Sequence, residues 1–331
     1  MTREVVLELT EIRKEFRIGG AFDRLLGRGR KFRALDDVSL TLHRREVVGL
    51  VGESGCGKST LAQVVMRLLD ADNGSVAFKG DSVTRATGAA LRPFRRRVQM
   101  VFQDTGSSLN PRKSVGRHLA ETLAMTGLPR RQRAARSEAL LGMVGLDAAA
   151  LTRLPHQLSG GQRQRLAIAR SLAMEPEVLI ADEPVASLDV SLQAQIVNLL
   201  DRLRRDLGLT LLFISHDLAL VGHISDRVAV MFAGAIVEEG VPRIVLSAPA
   251  HPYTRALLAA IPKGIHGRSR QGADNDTVVA AMPDQGCRFA PRCPQEAAIC
   301  RSQAPPLVRV AGGHHARCHF AAAAPDPNRT P

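Results

Sequence analysis

Between Val47 and Leu69 the sequence passes from an unbroken apolar run, Val47-Val48-Gly49-Leu50-Val51, through a glycine-rich turn into helical spacing of Leu61, Val64, Val65, Leu68 and Leu69. A run apolar at every position predicts a strand buried on both faces, and apolar residues three and four apart line one side of a helix. The turn, Gly52-Glu53-Ser54-Gly55-Cys56-Gly57-Lys58-Ser59-Thr60, matches G-x-x-x-x-G-K-[ST] with a strand before it and a helix after it, as the pattern requires. Its glycines let successive N–H groups turn inward around phosphates, and the helix N-terminus adds the positive end of its dipole. Lys58 is then expected to reach the terminal phosphates, and Ser59 to offer its hydroxyl to Mg²⁺. Gly52, Ser54, Gly55, Cys56, Gly57 and Thr60 complete the cradle, with Cys56 as a small filler.

A magnesium ion in such a loop needs a second anchor at a neighbouring strand end. Val178-Leu179-Ile180-Ala181-Asp182-Glu183 supplies four apolar residues and then two carboxylates. Asp182 is expected to hold Mg²⁺ directly or through water, and Glu183 to polarise or deprotonate an attacking water. Further buried strands are expected at 98–102 and 210–214, and a first strand within 1–18. Helices are expected at 164–174 and 191–207, and a hairpin from 228–232 and 235–239. Strands alternating with helices predict an α/β fold with a parallel-sheet core.

The chain carries a net charge of +13, which opens nucleic acid, an anionic membrane or an acidic ligand as partners. Residues 92–136 hold 11 basic and 2 acidic side chains, and 3–33 hold 9 and 5. Ten Phe, one Tyr and no Trp leave little for stacking on bases, which counts against nucleic acid. No apolar stretch approaches the roughly 20 residues of a membrane-spanning helix, and the N-terminus has no apolar signal region. A cytosolic chain is therefore expected, in which five cysteines read as free thiols or metal ligands rather than disulfides.

Leu158-Ser159-Gly160-Gly161-Gln162, 20 residues before Asp182, resembles the signature motif of ATP-binding cassette (ABC) ATPases, and the resemblance extends over roughly residues 5–245. Taken as such, the chain has a P-loop NTPase fold with a helical subdomain at about 104–172. Gln103 resembles the family's glutamine loop, a ligand of Mg²⁺ and water. Asp189 in Ser187-Leu188-Asp189 resembles its aspartate loop, and His216 its switch histidine at the γ-phosphate. Phe16 sits where the family places a ring on adenine. In the family two cassettes pair head-to-tail, so that Ser159, Gly160, Gly161 and Gln162 would close over ATP held by the other subunit. Without a partner, Ser159 reads simply as a helix cap. The match of every catalytic position implies ATP hydrolysis rather than a degenerate site.

The flanks resemble a narrower group. Ser107-Ser108-Leu109-Asn110-Pro111-Arg112 and His251-Pro252-Tyr253-Thr254 are similar to segments of importers for oligopeptides, dipeptides or nickel, and the insertion at 19–33 resembles the second of their two ATPase subunits. This implies an ATPase domain at 1–245, an extension at 246–320 and a disordered tail at 321–331. Peripheral placement on the cytoplasmic face of the membrane also follows. So do a second, different ATPase subunit, two transmembrane permeases docking near 103–136, and an extracytoplasmic binding protein. A nickel or other small-solute importer and a soluble ABC ATPase remain alternatives. Cys287, Cys293, Cys300 and Cys318 form C-x5-C-x6-C-x17-C in a segment with little core of its own. Thiolates suit a [4Fe–4S] cluster or Zn²⁺, similar extensions in the group can carry the cluster, and unmetallated thiols are the third reading.

Overall fold

The computed structural model describes residues 4–18, 30–104, 109–260, 285–310 and 314–321. Most of the insertion at 19–33, the serines Ser107 and Ser108, and all but the first residue of the 321–331 tail lie outside the described residues. The strands are β1 (Val5–Ile18), β2 (Arg30–His43), β3 (Val47–Val51), β4 (Asn73–Phe78), β5 (Asp81–Ser82), β6 (Val98–Val101), β7 (Val178–Asp182), β8 (Thr210–Ser215), β9 (Arg227–Phe232), β10 (Ala235–Gly240), β11 (Val308–Arg309) and β12 (His315–Ala316). The chain forms two compact units, one of Met1–Ile12, Ser39–Val48 and Ser59–Ser215, the other of Arg13–Val38, Gly49–Lys58 and His216–Pro331.

In the first unit β7 lies between β6 and β8, all parallel, with Ile180 opposite both Met100 and Leu212. Every residue of β7 and β8 is buried, the physical counterpart of their unbroken apolar runs. Because the run is flanked on both sides, the acid that ends it is delivered to one fixed edge: Asp182 is the last residue of β7 and only 4% exposed. Helices Val115–Met125, Arg130–Met143 and Gly160–Leu172 pack on one another in the region expected to be helical.

Two features of this unit depart from the sequence reading. The helix expected over 58–69 ends at Val65. Arg67 takes a left-handed φ of 53°, and Leu68 is 52% exposed instead of continuing the buried stripe. The buried Arg67 side chain accounts for the break, reaching the Val83 carbonyl at 3.0 Å and Asp70 at 2.5 Å. Of a four-stranded sheet in the order β2-β1-β4-β5, only β1 had a counterpart among the expected elements. In β4 only Val76 is buried, so neither an apolar run nor a clean alternation announces it. Gly74 permits its approach, since a Cβ there would stand 2.4 Å from the Thr10 carbonyl oxygen.

In the second unit β9 and β10 form the expected hairpin across a two-residue turn, Ala233-Gly234, whose φ values of 49° and 84° mark a type I′ turn. β10 then pairs with β12 and β12 with β11, so the strands added here are antiparallel, unlike the parallel core expected from the sequence. Glu238 of β10 is fully buried and its carboxylate accepts the N–H groups of Ala250 and His251 at 2.7 and 3.0 Å. His314 Nε2 lies 3.1 Å from the same carboxylate. His251 caps the helix Pro252–Ala259 by accepting the Tyr253 N–H at Nδ1, 3.0 Å away. The His-Pro-Tyr-Thr segment is thus a helix start with a ring for a cap and proline at the first position, where a missing N–H costs nothing.

Candidate active site

The glycine-rich loop is held by close approach as much as by hydrogen bonds. A Cβ on Gly52 would meet the Met231 carbonyl oxygen at 2.1 Å, so no larger residue fits there. The hairpin turn clasps the loop: Gly234 donates to the Cys56 carbonyl at 2.8 Å, while the Gly234 carbonyl accepts from the Asp36 N–H at 2.8 Å. Lys58, 4% exposed, folds back and donates to the carbonyls of Gly52 at 2.8 Å and Glu53 at 3.0 Å. A buried ammonium directed into a cradle of backbone groups is poised for an anion, which competes for the same donor more strongly than neutral carbonyls do. Burial pushes the Cys56 thiol pKa up, which keeps it protonated and agrees with a filler.

Each strand-end acid meets another of the expected site residues. Ser59 Oγ donates to Asp182 Oδ1 at 3.2 Å. Gln103 Nε2 donates to Glu183 Oε2 at 3.2 Å. Glu183 sits in the left-handed region at φ 43°, with its N–H donating to the Ile214 carbonyl at 3.0 Å. A non-glycine residue held there stores strain of the kind that clusters at functional sites. Serine hydroxyl, aspartate and glutamine oxygen are hard donors of the type Mg²⁺ takes.

Ser159 caps the helix Gly160–Leu172 in a reciprocal capping box, accepting the Gln162 N–H at 3.3 Å while Gln162 Oε1 accepts the Ser159 N–H at 3.0 Å. Gly160 and Gly161 stand against Leu188 and Leu192, where a Cβ would come within 3.3 and 3.4 Å. Asp189 caps the helix Val190–Leu207, and its bonds from the Leu192 N–H and the Ser191 hydroxyl lower its carboxyl pKa. His216 follows the last residue of β8 and is exposed, as is Phe16, with Lys14 Nζ 5.8 Å above the Phe16 ring centre.

Two further places bear on the expected partners. Cys287, Cys293, Cys300 and Cys318 all line one small pocket with His319 and Phe320, and none is in a disulfide. Burial pushes the Cys287 and Cys293 thiols up. Among the described residues, however, no three His, Cys, Asp or Glu side chains are gathered as a metal-holding group. The first unit also carries an open groove of about 1370 Å³, floored by Phe78, Phe94 and Met100 and rimmed by Arg95, Arg96 and Arg97. It lies mainly upstream of the 103–136 region where a docking groove was expected; of that region only Thr122 and Met125 line it. The Phe78–Phe94 edge contact, with centres 5.7 Å apart, forms part of its apolar floor. Among the described residues no helix is long and apolar enough to cross a membrane.

Sequence reasoning missed what lies behind the loop. Glu53 donates its N–H to the Tyr253 hydroxyl at 2.9 Å, and Arg292 grips its carboxylate with two bonds of 2.9 Å. Tyr253, Phe232 and Phe289 form a buried cluster, with ring centres 4.5 to 5.6 Å apart. Of the 11 aromatic residues only Phe16 had been given a place at the nucleotide. A tyrosine 200 positions from its partner and an arginine 239 positions away leave no local pattern to read.

Comparison with known proteins agrees with this geometry. Residues 35–186 match the ABC transporter family and residues 237–300 the oligopeptide/dipeptide transporter C-terminal region. The oligopeptide transport ATP-binding protein AppF of Bacillus subtilis is 43% identical over 96% of this chain and 98% of its own length. A peptide import ATP-binding protein of Brucella abortus is 47% identical over 96% of this chain and 95% of its own. The ATP-binding cassette MJ0796, solved as a dimer with ADP and Pi, superposes with a TM-score of 0.64 at 27% identity, covering 72% of this chain and 99% of that one. The chain belongs to the ATP-binding proteins of ABC transporters, with their P-loop α/β fold and the oligopeptide/dipeptide transporter C-terminal region.

Proposed function

We propose that the chain is the ATP-hydrolysing subunit of a peptide importer, working peripherally on the cytoplasmic face of the membrane. The observation that carries this reading is the pairing of Ser59 with Asp182 and of Gln103 with Glu183 at one strand end, in a chain that also bears the transporter C-terminal region. Lys58 would bind the terminal phosphates of ATP, with the loop amides of Ser54 to Thr60 around them. Ser59, Asp182 and Gln103 would hold Mg²⁺, which neutralises phosphate charge. Glu183 would take the proton of the attacking water, His216 would contact the γ-phosphate, and Phe16 would stack on adenine. Ser159, Gly160, Gly161 and Gln162, with Asp189, would complete the site of a second ATPase subunit, a different chain. ATP bound between the two favours the closed pair, and closure drives the permeases.

The same reading assigns residues 1–245 to the ATPase domain and 246–320 to the extension. Two transmembrane permeases would insert short helices into the Phe78–Phe94 groove. Its arginine rim suits acidic helix ends or lipid headgroups. An extracytoplasmic peptide-binding protein would deliver the solute. For the four cysteines we propose a soft metal centre, an iron–sulfur cluster or zinc, supported by their convergence on one pocket and by the all-thiol donor set.

Reconstitution with cognate permeases and binding protein tests the function. Peptide-stimulated hydrolysis coupled to peptide uptake is the expected result. Stimulation by nickel alone would assign the solute differently, and hydrolysis indifferent to any permease would refute transport.

A further inference from the structure

The nucleotide loop is gripped from the C-terminal region at one residue, Glu53. We propose that Tyr253 and Arg292 are positioning residues of the ATP site, holding Glu53 so that the loop keeps its phosphate-binding shape and its own negative charge is cancelled.

Glu53 is the second residue of the loop and a structural hub within it. Its carbonyl accepts Lys58 Nζ at 3.0 Å and the Cys56 N–H at 3.3 Å. Its N–H goes to the Tyr253 hydroxyl, so this amide is committed to the C-terminal region. Tyr253 is wholly buried and is itself fixed at the start of the helix that His251 caps. Its position therefore transmits the placement of the His-Pro-Tyr-Thr segment directly to the loop backbone.

The carboxylate poses a second problem, because a loop that binds a polyanion carries an anion of its own. Arg292 answers it with a bidentate pair, the strongest geometry available to these groups. The guanidinium is held over Phe232 and Phe289 at 5.6 and 5.7 Å from the ring centres. Glu53 in turn raises the Arg292 pKa. The side chains are 39% and 38% exposed, a setting in which an ion pair adds little to folding stability. Its effect is instead felt where the charge sits, beside the phosphates. The C-terminal extension is on this account part of the nucleotide machinery rather than an appended docking module.

This inference rests on the loop binding ATP, and the test separates the two. ATP affinity of the full chain is measured by equilibrium titration with Mg-ATP, together with KM and kcat for hydrolysis. Arg292→Ala should weaken ATP binding about tenfold, equivalent to ~1.4 kcal/mol, with a smaller effect at saturating ATP. Adding Glu53→Gln to Arg292→Ala should restore affinity to within about threefold, because the uncompensated charge is gone. Tyr253→Phe, which keeps the ring and loses only the acceptor, should also raise the ATP Kd. Arg301→Ala, which breaks the exposed Glu296 pair of the same segment, should leave it unchanged. A purely structural role would lower the melting temperature and the active fraction without moving Kd, and Glu53→Gln would not suppress it. Wild-type affinity in Arg292→Ala, or a double variant no tighter than the single, overturns the proposal. Absence of ATP binding by the wild-type chain would overturn the nucleotide reading beneath it.

Discussion

Acid should loosen the region behind the phosphate loop through one histidine. His251 is 1% exposed and caps its helix by accepting the Tyr253 N–H, which requires an unprotonated Nδ1. Burial, reinforced by the nearby Arg255 charge, lowers its pKa from 6.5 to about 4. The unfolded chain takes up this proton near 6.5 and the folded chain only near 4. Stability is therefore fully present above 6.5, falls as the pH drops from about 6.5 to about 4, and levels off below. At roughly 1.4 kcal/mol per pH unit, the gap amounts to ~3 kcal/mol, a large fraction of a typical folding free energy of about 5–15 kcal/mol. Tyr253 is the only tyrosine and there is no tryptophan, so intrinsic fluorescence reports on this spot. Urea unfolding followed by that signal at pH 7.5, 6 and 5 should show wild type losing stability steeply. His251→Asn, which still caps but does not titrate, should lose much less. The groups around the site, Glu238, His314, Arg255 and Arg317, are common to both proteins and cancel in the comparison. Equal pH slopes for the two would refute the reasoning.

Gly52→Ala places a methyl group 2.1 Å from the Met231 carbonyl; the loop must shift, and ATP affinity should fall by roughly 10- to 100-fold, read by nucleotide titration. Ser159→Ala removes a helix cap worth about 1 kcal/mol, a small loss in thermal melting. If Ser159 also serves the partner's nucleotide, turnover should fall far more than stability does, and intact turnover would leave it a cap alone. Metal analysis of anaerobically purified protein should find iron or zinc at stoichiometric levels that Cys300→Ser abolishes; metal-free wild type would assign the four cysteines as plain thiols.

Much of the molecule could be read in advance because its chemistry is local. The strand, loop and helix around Gly52–Ser59 and the run ending at Asp182 announce themselves by burial on both faces. The β9–β10 hairpin matched to within a residue at either end, because two apolar runs flank a two-residue turn. The sequence named Ser59, Asp182, Gln103 and Glu183 as site residues, but the hydrogen bonds of Ser59 with Asp182 and of Gln103 with Glu183 come from the fold. What escaped was long-range or weakly patterned. β4 buries only Val76, and β11 and β12 are two residues each. The end of the helix at Val65 depends on where the buried Arg67 guanidinium finds partners. Tyr253 and Arg292 carry no sequence sign of reaching Glu53, since only the folded hairpin Phe232–Ala235 and the ring cluster bring them there.

The central claim is hydrolysis of ATP at the Ser59, Asp182 and Glu183 strand end, and Glu183→Gln tests it most directly. The variant keeps side-chain size and removes the proton acceptor. Wild type should release phosphate from ATP, whereas the variant should bind ATP with undiminished affinity, release phosphate at least about a hundredfold more slowly and accumulate as an ATP-bound dimer. Unchanged phosphate release by Glu183→Gln would contradict the account.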